Sequence, residues 1–242
     1  MKMDTNKNSY TLLYATGMVV IVALLLALVS GALKSRQVTN EELDKKKQIL
    51  SALNVIEAKD FEETYDQYIT AAYILNSNGE VISKDKDEAF KVNVAKEAAK
   101  ALDKRQLPVY IAQIDGETKY ILSTRGAGLW GAVWGYVALN QDKNTIYGSY
   151  FSHESETPGL GAEISTKPFQ NEFIGKKIMN EAGDFVSVAI VKPGNTISDR
   201  DYVDGISGGT ITCQGVEDML LNSLGQYENF MKQSKEEETD NE

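Results

Sequence analysis

The glycine-rich segment from Asp204 to Thr212 has the clearest chemical potential in this sequence. Gly208 and Gly209 let the backbone approach a bulky group without a Cβ clash. The apolar periodicity that follows predicts a helix, whose first N–H groups and positive dipole end favour a bound anion such as phosphate. Thr210 would place a hydroxyl at that anion. The same residues also fit an ordinary turn in which Thr210 or Thr212 caps the helix, and local chemistry alone favours this simpler interpretation.

A second polar loop runs from His153 to Gly161, after a predicted strand. Its glycines would bring backbone close to a neighbouring group. His153 is the only histidine of the chain, and it could donate a hydrogen bond or adjust a redox group. A solvated histidine in a capped loop is the simpler interpretation.

Two further groups of residues could meet a ligand. Both tryptophans, Trp130 and Trp134, lie among glycines. Small residues beside a large ring suit contact with a flat ligand, although the packing of a twisted sheet explains them equally well. Lys176, Lys177 and Arg200 could bind a phosphate, although solvated cations are the commoner case.

Composition and missing motifs exclude several classes of function. The net charge of −10 argues against binding to nucleic acid or to an anionic lipid surface. One cysteine cannot form an intramolecular disulfide, and one histidine excludes zinc sites built from several His and Cys. No Walker loop, dinucleotide-binding G-x-G-x-x-G or serine nucleophile elbow is present, so an NAD enzyme or a hydrolase has little support. We predict no metal site and no general acid or base.

The N-terminal region is predicted to cross a membrane. No charged residue occurs from Asn8 to Leu33, and about 20 apolar residues are enough to span the hydrocarbon core as a helix. A cleaved signal peptide would have an apolar region of only about 7–15 residues. Positive charges are more numerous after this region than before it, which by itself would place the large domain in the cytoplasm.

The rest of the chain predicts an α+β domain, because consecutive strands with short turns are followed by helices. A helix over 38–56 is interpreted as a spacer between membrane and domain, and Asn78-Gly79 indicates a hairpin. We predict helices within 88–104, 168–178 and 212–231, and strands at 107–114, 118–124, 134–140, 145–152 and 185–191. The predicted segments are a cytoplasmic N-terminus (1–10), a transmembrane helix (11–33), a juxtamembrane region (34–105), a main domain (106–232) and a disordered acidic tail (233–242).

Taken together, three motifs and the apolar span resemble one family over essentially the whole chain apart from the tail. The motifs are Gly128-Leu129-Trp130, Glu156-Thr157-Pro158-Gly159-Leu160-Gly161 and Asp204-Gly205-Ile206-Ser207-Gly208-Gly209-Thr210. The three motifs occur in the order seen in the NqrC family. Proteins of this family form one of the subunits of the Na⁺-translocating NADH:quinone reductase. The attachment motif of that family reads Asp-x-x-Ser/Thr-Gly-Ala-Thr, and this chain departs from it with Gly209 in place of the alanine.

The resemblance implies that Thr210 carries FMN through a phosphoester to its hydroxyl. A flavin transferase would attach it from FAD on the extracytoplasmic side. The resemblance therefore places the C-terminal domain in the periplasm, on a single-pass anchor in the bacterial inner membrane, against the charge count. The other residues implied to bind the cofactor are Ser207, Gly208, Gly209, Thr212, Glu156, Thr157, Leu160, Gly161, Leu129, Trp130 and Lys177.

The implied function is an electron relay through FMN within a membrane respiratory complex, whose other subunits oxidise NADH, reduce ubiquinone and move Na⁺. One alternative is the corresponding covalent-FMN subunit of the ferredoxin:NAD electron-transport complex. Another alternative, from a different class, is a membrane-anchored module that binds a phosphate-bearing ligand noncovalently and has no redox role.

Overall fold

The computed structural model describes residues 8–233, and the chain divides between Lys45 and Lys46 into two units. The predictions for most of the N-terminus (1–7) and for the acidic tail (234–242) lie outside the described residues. The first long element is helix α1, Asn8–Ala52. Within the described range it is the one helix with the length and apolar composition of a membrane span. At 1.5 Å per residue its 45 residues extend roughly 68 Å, about twice the thickness of a hydrocarbon core.

The segment predicted as a helix over 38–56 is helical as far as Ala52, but its interpretation as a spacer is wrong for its last turn. The helix is continuous with the apolar span and ends at Ala52, and its last four residues are buried. Ile49 and Leu50 are fully buried and pack with Tyr65 in one of the two cores of the domain. The apolar stripe recognised in this segment is therefore a core-forming face, because burying it is more favourable than leaving it in water.

A six-stranded antiparallel sheet forms the centre of the domain, in the order β2-β1-β3-β4-β5-β6. The hairpin predicted at Asn78-Gly79 joins the first two strands, with Gly79 at φ +81°. The α+β prediction is confirmed. The strands are β1 (Ile69–Leu75), β2 (Val81–Ser83), β3 (Leu107–Ile114), β4 (Glu117–Ala127), β5 (Ala132–Leu139) and β6 (Ile146–His153). The sheet joins β1 and β2, from the predicted juxtamembrane region, to β3, from the predicted main domain. The boundary between these two regions at residues 105 and 106 stays a prediction.

Helices cover both faces of the sheet. Successive side chains of a strand point to opposite faces, so Ile121 of β4 lies in the core that contains Ile49, and Leu122 lies in the core that contains Met219. The remaining helices are α2 (Phe61–Tyr68), α3 (Lys86–Lys91), α4 (Val94–Ala98), α5 (Lys167–Asn171), α6 (Thr210–Leu224) and α7 (Glu228–Lys232).

Four further predicted elements differ from those observed. The helix expected within 168–178 is reduced to the five residues of α5. The helix expected within 88–104 is divided into α3 and α4, because Asn93 caps a new helix start by accepting from the Lys96 N–H. The strand expected at 185–191 is reduced to β7 (Ala189–Val191), which pairs in parallel with β8 (Tyr202–Asp204). Ser187, whose φ is +60°, interrupts the expected strand before β7. The last helix, expected over 212–231, begins two residues earlier at Thr210 and is divided into α6 and α7 by a turn at Gly225–Tyr227.

Helix α6 positions the glycine-rich segment against the sheet. Its buried residues Val216, Met219 and Leu220 pack on β4 and β5. Gly215 lies against the backbone of Ala127, where any side chain would collide with the Ala127 carbonyl oxygen. The start of α6 is thereby held close to the turn between β4 and β5.

Candidate functional site

A cavity of about 210 Å³ lies at the N-terminus of α6. Three of the predicted segments meet there: the turn after β4, the loop after β6 and the glycine-rich segment. We call it the helix-start cavity. Its lining residues are Leu129, Glu156, Thr157, Leu160, Gly161, Gly208, Gly209, Thr210, Ile211 and Thr212.

Thr210 is the first residue of α6 and is exposed at the edge of this cavity. The N-cap position belongs to Gly209, which has no side chain to cap the helix. The interpretation of Thr210 or Thr212 as the capping residue is therefore wrong. Within residues 8–233 the Thr210 hydroxyl has no hydrogen-bond partner, so it is available to another group.

The first turn of α6 also leaves backbone donors free. The N–H groups of the first turn have no acceptor inside the helix. In the described part of the chain, no loop carbonyl or side chain accepts from the N–H groups of residues 210–212. Together with the helix dipole, these donors favour an anion beside the Thr210 hydroxyl.

Glu156 connects the three segments that line the cavity. Its side chain is 4% exposed. One carboxylate oxygen accepts from the Trp130 N–H at 2.9 Å, and the other accepts from the Thr212 hydroxyl at 2.6 Å. The backbone N–H of Glu156 donates to His153 Nδ1 at 3.1 Å. A single buried carboxylate thus holds the turn, the loop and the start of α6 together.

The electrostatics keep this carboxylate ionised. Burial pushes the pKa of Glu156 upwards, but hydrogen bonds from Thr212 and from the backbone of Trp130 and Leu129, with a contribution from His153, outweigh it. The pKa of Glu156 is therefore lowered from its ordinary value.

Two glycines are required by the close approach of these segments. A Cβ on Gly161 would collide with the Thr212 hydroxyl and would lie 2.7 Å from the Glu156 carboxylate. Gly208 has φ +77°, and a Cβ there would lie 2.7 Å from Leu160 Cδ2. Any larger residue would push the loop away from the start of α6.

Large apolar side chains around the cavity are exposed to solvent. The exposed fractions are 65% for Trp130, 45% for Leu129, 42% for Leu160 and 60% for Ile211. Contiguous apolar exposure of this kind is typical of a surface that a ligand or a partner covers. Sequence reasoning missed Ile211, although its position between Thr210 and Thr212 was a signal for it.

The other predicted residues lie nearby or apart. Ser207 is exposed in the turn before Gly208, outside the cavity lining. Lys177 bridges to Thr145 beside the start of β6, roughly 23 Å from the end of that strand at His153, so the structure does not bring it into the group.

The remaining candidates have structural partners. Arg200 donates to Glu217 at 2.5 Å, and Lys176 lies over the Tyr202 ring at 5.7 Å. Trp134 donates from Nε1 to Gln48 near the end of α1. His153 is partly buried and accepts a hydrogen bond, so it is not simply solvated.

Comparison with known proteins places these features in a family. Residues 128–225 match the model of the FMN-binding domain. The chain is 31% identical to the NqrC subunit of the Na⁺-translocating NADH-quinone reductase of Haemophilus ducreyi, over 93% of this chain and 95% of the relative. It is also 31% identical to the protein of the same name from Pseudomonas aeruginosa, over 87% and 92% of the two chains.

Solved structures agree with this assignment. The crystal structure of the NqrC subunit from Parabacteroides distasonis has a TM-score of 0.78 and 50% identity, covering 84% of this chain and 98% of that one. The structure of NqrC from Shewanella oneidensis has a TM-score of 0.64 and 25% identity, covering 81% and 100%. The chain therefore belongs to the NqrC family, the FMN-binding subunits of the Na⁺-translocating NADH-quinone reductase.

Proposed function

We propose that this protein carries FMN in phosphoester linkage to Thr210 and relays electrons within a Na⁺-translocating NADH-quinone reductase. Membership of the family makes the chain a membrane-anchored flavoprotein subunit of that oxidoreductase complex. The covalent attachment, the residues that contact the cofactor and the periplasmic orientation are our proposals. The observation that carries the attachment is the exposed, unbonded hydroxyl of Thr210 beside free helix-start N–H groups.

The residues at the helix-start cavity fit FMN. The phosphoester would keep a negative charge, and the start of α6 would stabilise it by about 0.3–1 kcal/mol per favourable contact. The exposed Leu129, Trp130, Leu160 and Ile211 side chains offer apolar surface for a flat ring system. The cavity itself is smaller than the whole cofactor, so the ring would lie over this rim.

Each residue has a distinct role in this proposal. FMN supplies the reversible electron transfer when bound. Thr210 anchors it, the backbone donors after Gly208 and Gly209 hold the phosphate, and Glu156 holds the surrounding segments in place. Ser207, Thr157, Gly161 and Thr212 complete the predicted contact set. Lys177 would need to move to reach the cofactor. No proton-transfer residue is required.

Gly209 is the one departure from the family attachment motif. Its φ of −102° is open to alanine, but a Cβ would lie 3.2 Å from the Ile206 side chain. The local backbone of this chain therefore has less room for the usual alanine. The Thr210 hydroxyl is unaffected by the exchange, so attachment is expected to proceed.

Replacement of Thr210 tests the proposal. Full-length Thr210→Ala, Thr210→Ser and Ser207→Ala proteins would be co-expressed with a flavin transferase and analysed by intact mass and in-gel flavin fluorescence after denaturation. We expect Thr210→Ala to lose the adduct completely, because no acceptor hydroxyl remains. Ser207→Ala removes the other hydroxyl of the turn, which belongs to the predicted contact set, but it leaves the Thr210 acceptor, so part of the adduct should remain. Thr210→Ser retains a hydroxyl and should therefore carry part of the flavin adduct. Fluorescence retained by Thr210→Ala would contradict the assignment.

The same preparations separate the alternatives. If denaturation released all flavin from the wild-type chain, a noncovalent binding module would be the better description. If the partner subunits that co-purify belonged to the ferredoxin-linked complex, the protein would serve that complex. We expect covalent flavin and co-purification with the other quinone reductase subunits.

A further inference from the structure

A second cavity, of about 200 Å³, lies where strands β3 and β4 separate. The two strands pair from Ile114 and Glu117 up to Val109 and Leu122, but β4 continues to Ala127. Beyond Leu122 the main chain of β4 therefore has no strand neighbour on the β3 side. We call this space the strand-gap cavity.

Side chains from the end of α6 and the turn after it replace the missing strand. The Tyr227 hydroxyl donates to the Pro108 carbonyl at 3.1 Å and accepts the backbone N–H of Ser123. Ser223 Oγ accepts from the Arg125 N–H at 3.1 Å and donates to the Arg125 carbonyl at 3.0 Å. These four backbone groups therefore have partners without any ligand.

One buried hydroxyl in the lining has no partner, and one partly exposed guanidinium there has no partner within the described residues. Ser123 is 4% exposed, and its buried hydroxyl has no hydrogen-bond partner. The guanidinium of Arg125 has no acceptor or ion-pair partner in residues 8–233. Both residues line the cavity, and as positions i and i+2 of one strand they share a face. A buried hydroxyl without a partner costs free energy unless something else bonds to it.

The charge balance of the cavity is positive. Arg105 also lines it, and its guanidinium uses three hydrogen bonds, to Ala98 O, Lys100 O and Gln226 Oε1. Five N–H groups are available on a guanidinium, so two remain. The acidic residue in the lining, Glu97, is paired with Lys100 at 2.8 Å. A positive pocket in a chain of net charge −10 is a local feature that the composition does not predict.

We propose that the strand-gap cavity binds a small oxyanion, a phosphate or a carboxylate group. Arg125 would supply the counter-charge and Ser123 a hydrogen bond. At about 30 Å³ per water molecule, the volume corresponds to six or seven waters, enough for inorganic phosphate or a short dicarboxylate. The site is separate from the flavin site, because Asn222 in its lining lies 12 residues along α6 from Thr210, roughly 18 Å.

Titration calorimetry of the full-length protein in detergent tests this proposal, with inorganic phosphate and malonate as separate probes. We expect saturable binding of at least one probe to the wild-type chain. Arg125→Gln should weaken it about tenfold or more, since hydrogen bonds between charged groups are the stronger ones. Ser123→Ala should weaken it by about fivefold, the value of one neutral hydrogen bond. Which probe binds identifies the oxyanion.

Matched variants exclude indirect effects. Lys59→Gln removes one positive charge at an exposed position outside the cavity and should bind like the wild type. The titrations use the flavinylated chain, in which the proposed FMN phosphate already occupies the start of α6, so a loss of binding in Arg125→Gln is assigned to the strand-gap cavity. The Arg125→Gln chain must show an unchanged circular dichroism spectrum. Absence of saturable binding, or equal affinity in Arg125→Gln, would overturn the proposal.

Discussion

At the scale of single residues, Glu156 is the most informative position. The motif around it was recognisable in the sequence, and so was its place near the ligand. The hydrogen-bond partners of Glu156 could not be recognised in the sequence, because Trp130 and Thr212 are 26 and 56 residues away along the chain. Only the fold brings them together. The same limit applied to Thr210, whose free hydroxyl depends on Gly209 occupying the cap position.

Replacing Glu156 by Gln separates its charge from its hydrogen bonds. The amide oxygen can still accept from Trp130, and the amide nitrogen can donate to Thr212 if that hydroxyl reverses. The shape is retained and one buried negative charge is lost. If FMN lies here as proposed, the midpoint potential of the flavin should rise, because adding an electron beside a carboxylate is unfavourable.

Spectroelectrochemical titration of the flavinylated protein measures this effect. Glu154→Gln is the matched control, since Glu154 is an exposed carboxylate two residues away. An unchanged potential in Glu156→Gln, together with full flavin content, would show that the carboxylate acts on the structure alone.

At the scale of elements, the docking of α1 into the domain was the least predictable feature. The apolar stripe of the segment was visible, but no local pattern distinguishes a solvated spacer from a helix end that enters a core. The decisive feature is Gly148 in β6, which lies against the Ala52 carbonyl oxygen. Lys167 Nζ also donates to the Ser51 carbonyl at 3.1 Å. A partner surface elsewhere in the chain thus determines where the helix ends.

Gly148→Ala should loosen this docking. The added methyl group would collide with the Ala52 carbonyl, and over-packing of this kind typically costs about 1–3 kcal/mol. We expect the midpoint of chemical unfolding of the soluble domain to fall, measured by tryptophan fluorescence with Trp134 beside Gln48 as reporter. Ser152→Ala, in the same strand, adds no atoms and should leave the midpoint nearly unchanged. A stable Gly148→Ala protein would mean that the helix end moves without cost.

At the scale of the whole molecule, the side of the membrane is where charge and family resemblance disagree. Counting cations after the span favours a cytoplasmic domain, and the family pattern favours the periplasm. The structure explains part of the count. Lys46 forms an ion pair with Glu62 at 3.4 Å, and Lys47 lies over the Phe61 ring at 5.1 Å. These lysines belong to the folded domain, and large domains translocate largely regardless of their charge.

Without those lysines the charges that flank the span nearly balance, so the count is a poor guide to orientation. Labelling can decide it, because the only native thiol, Cys213, is buried. We expect a membrane-impermeant maleimide to label a Ser198→Cys protein in intact cells with a permeable outer membrane, since Ser198 is exposed. The wild-type chain is the matched control and should stay unlabelled. Labelling of Ser198→Cys only after the inner membrane is broken would place the domain in the cytoplasm, where an extracytoplasmic flavin transferase could not reach Thr210.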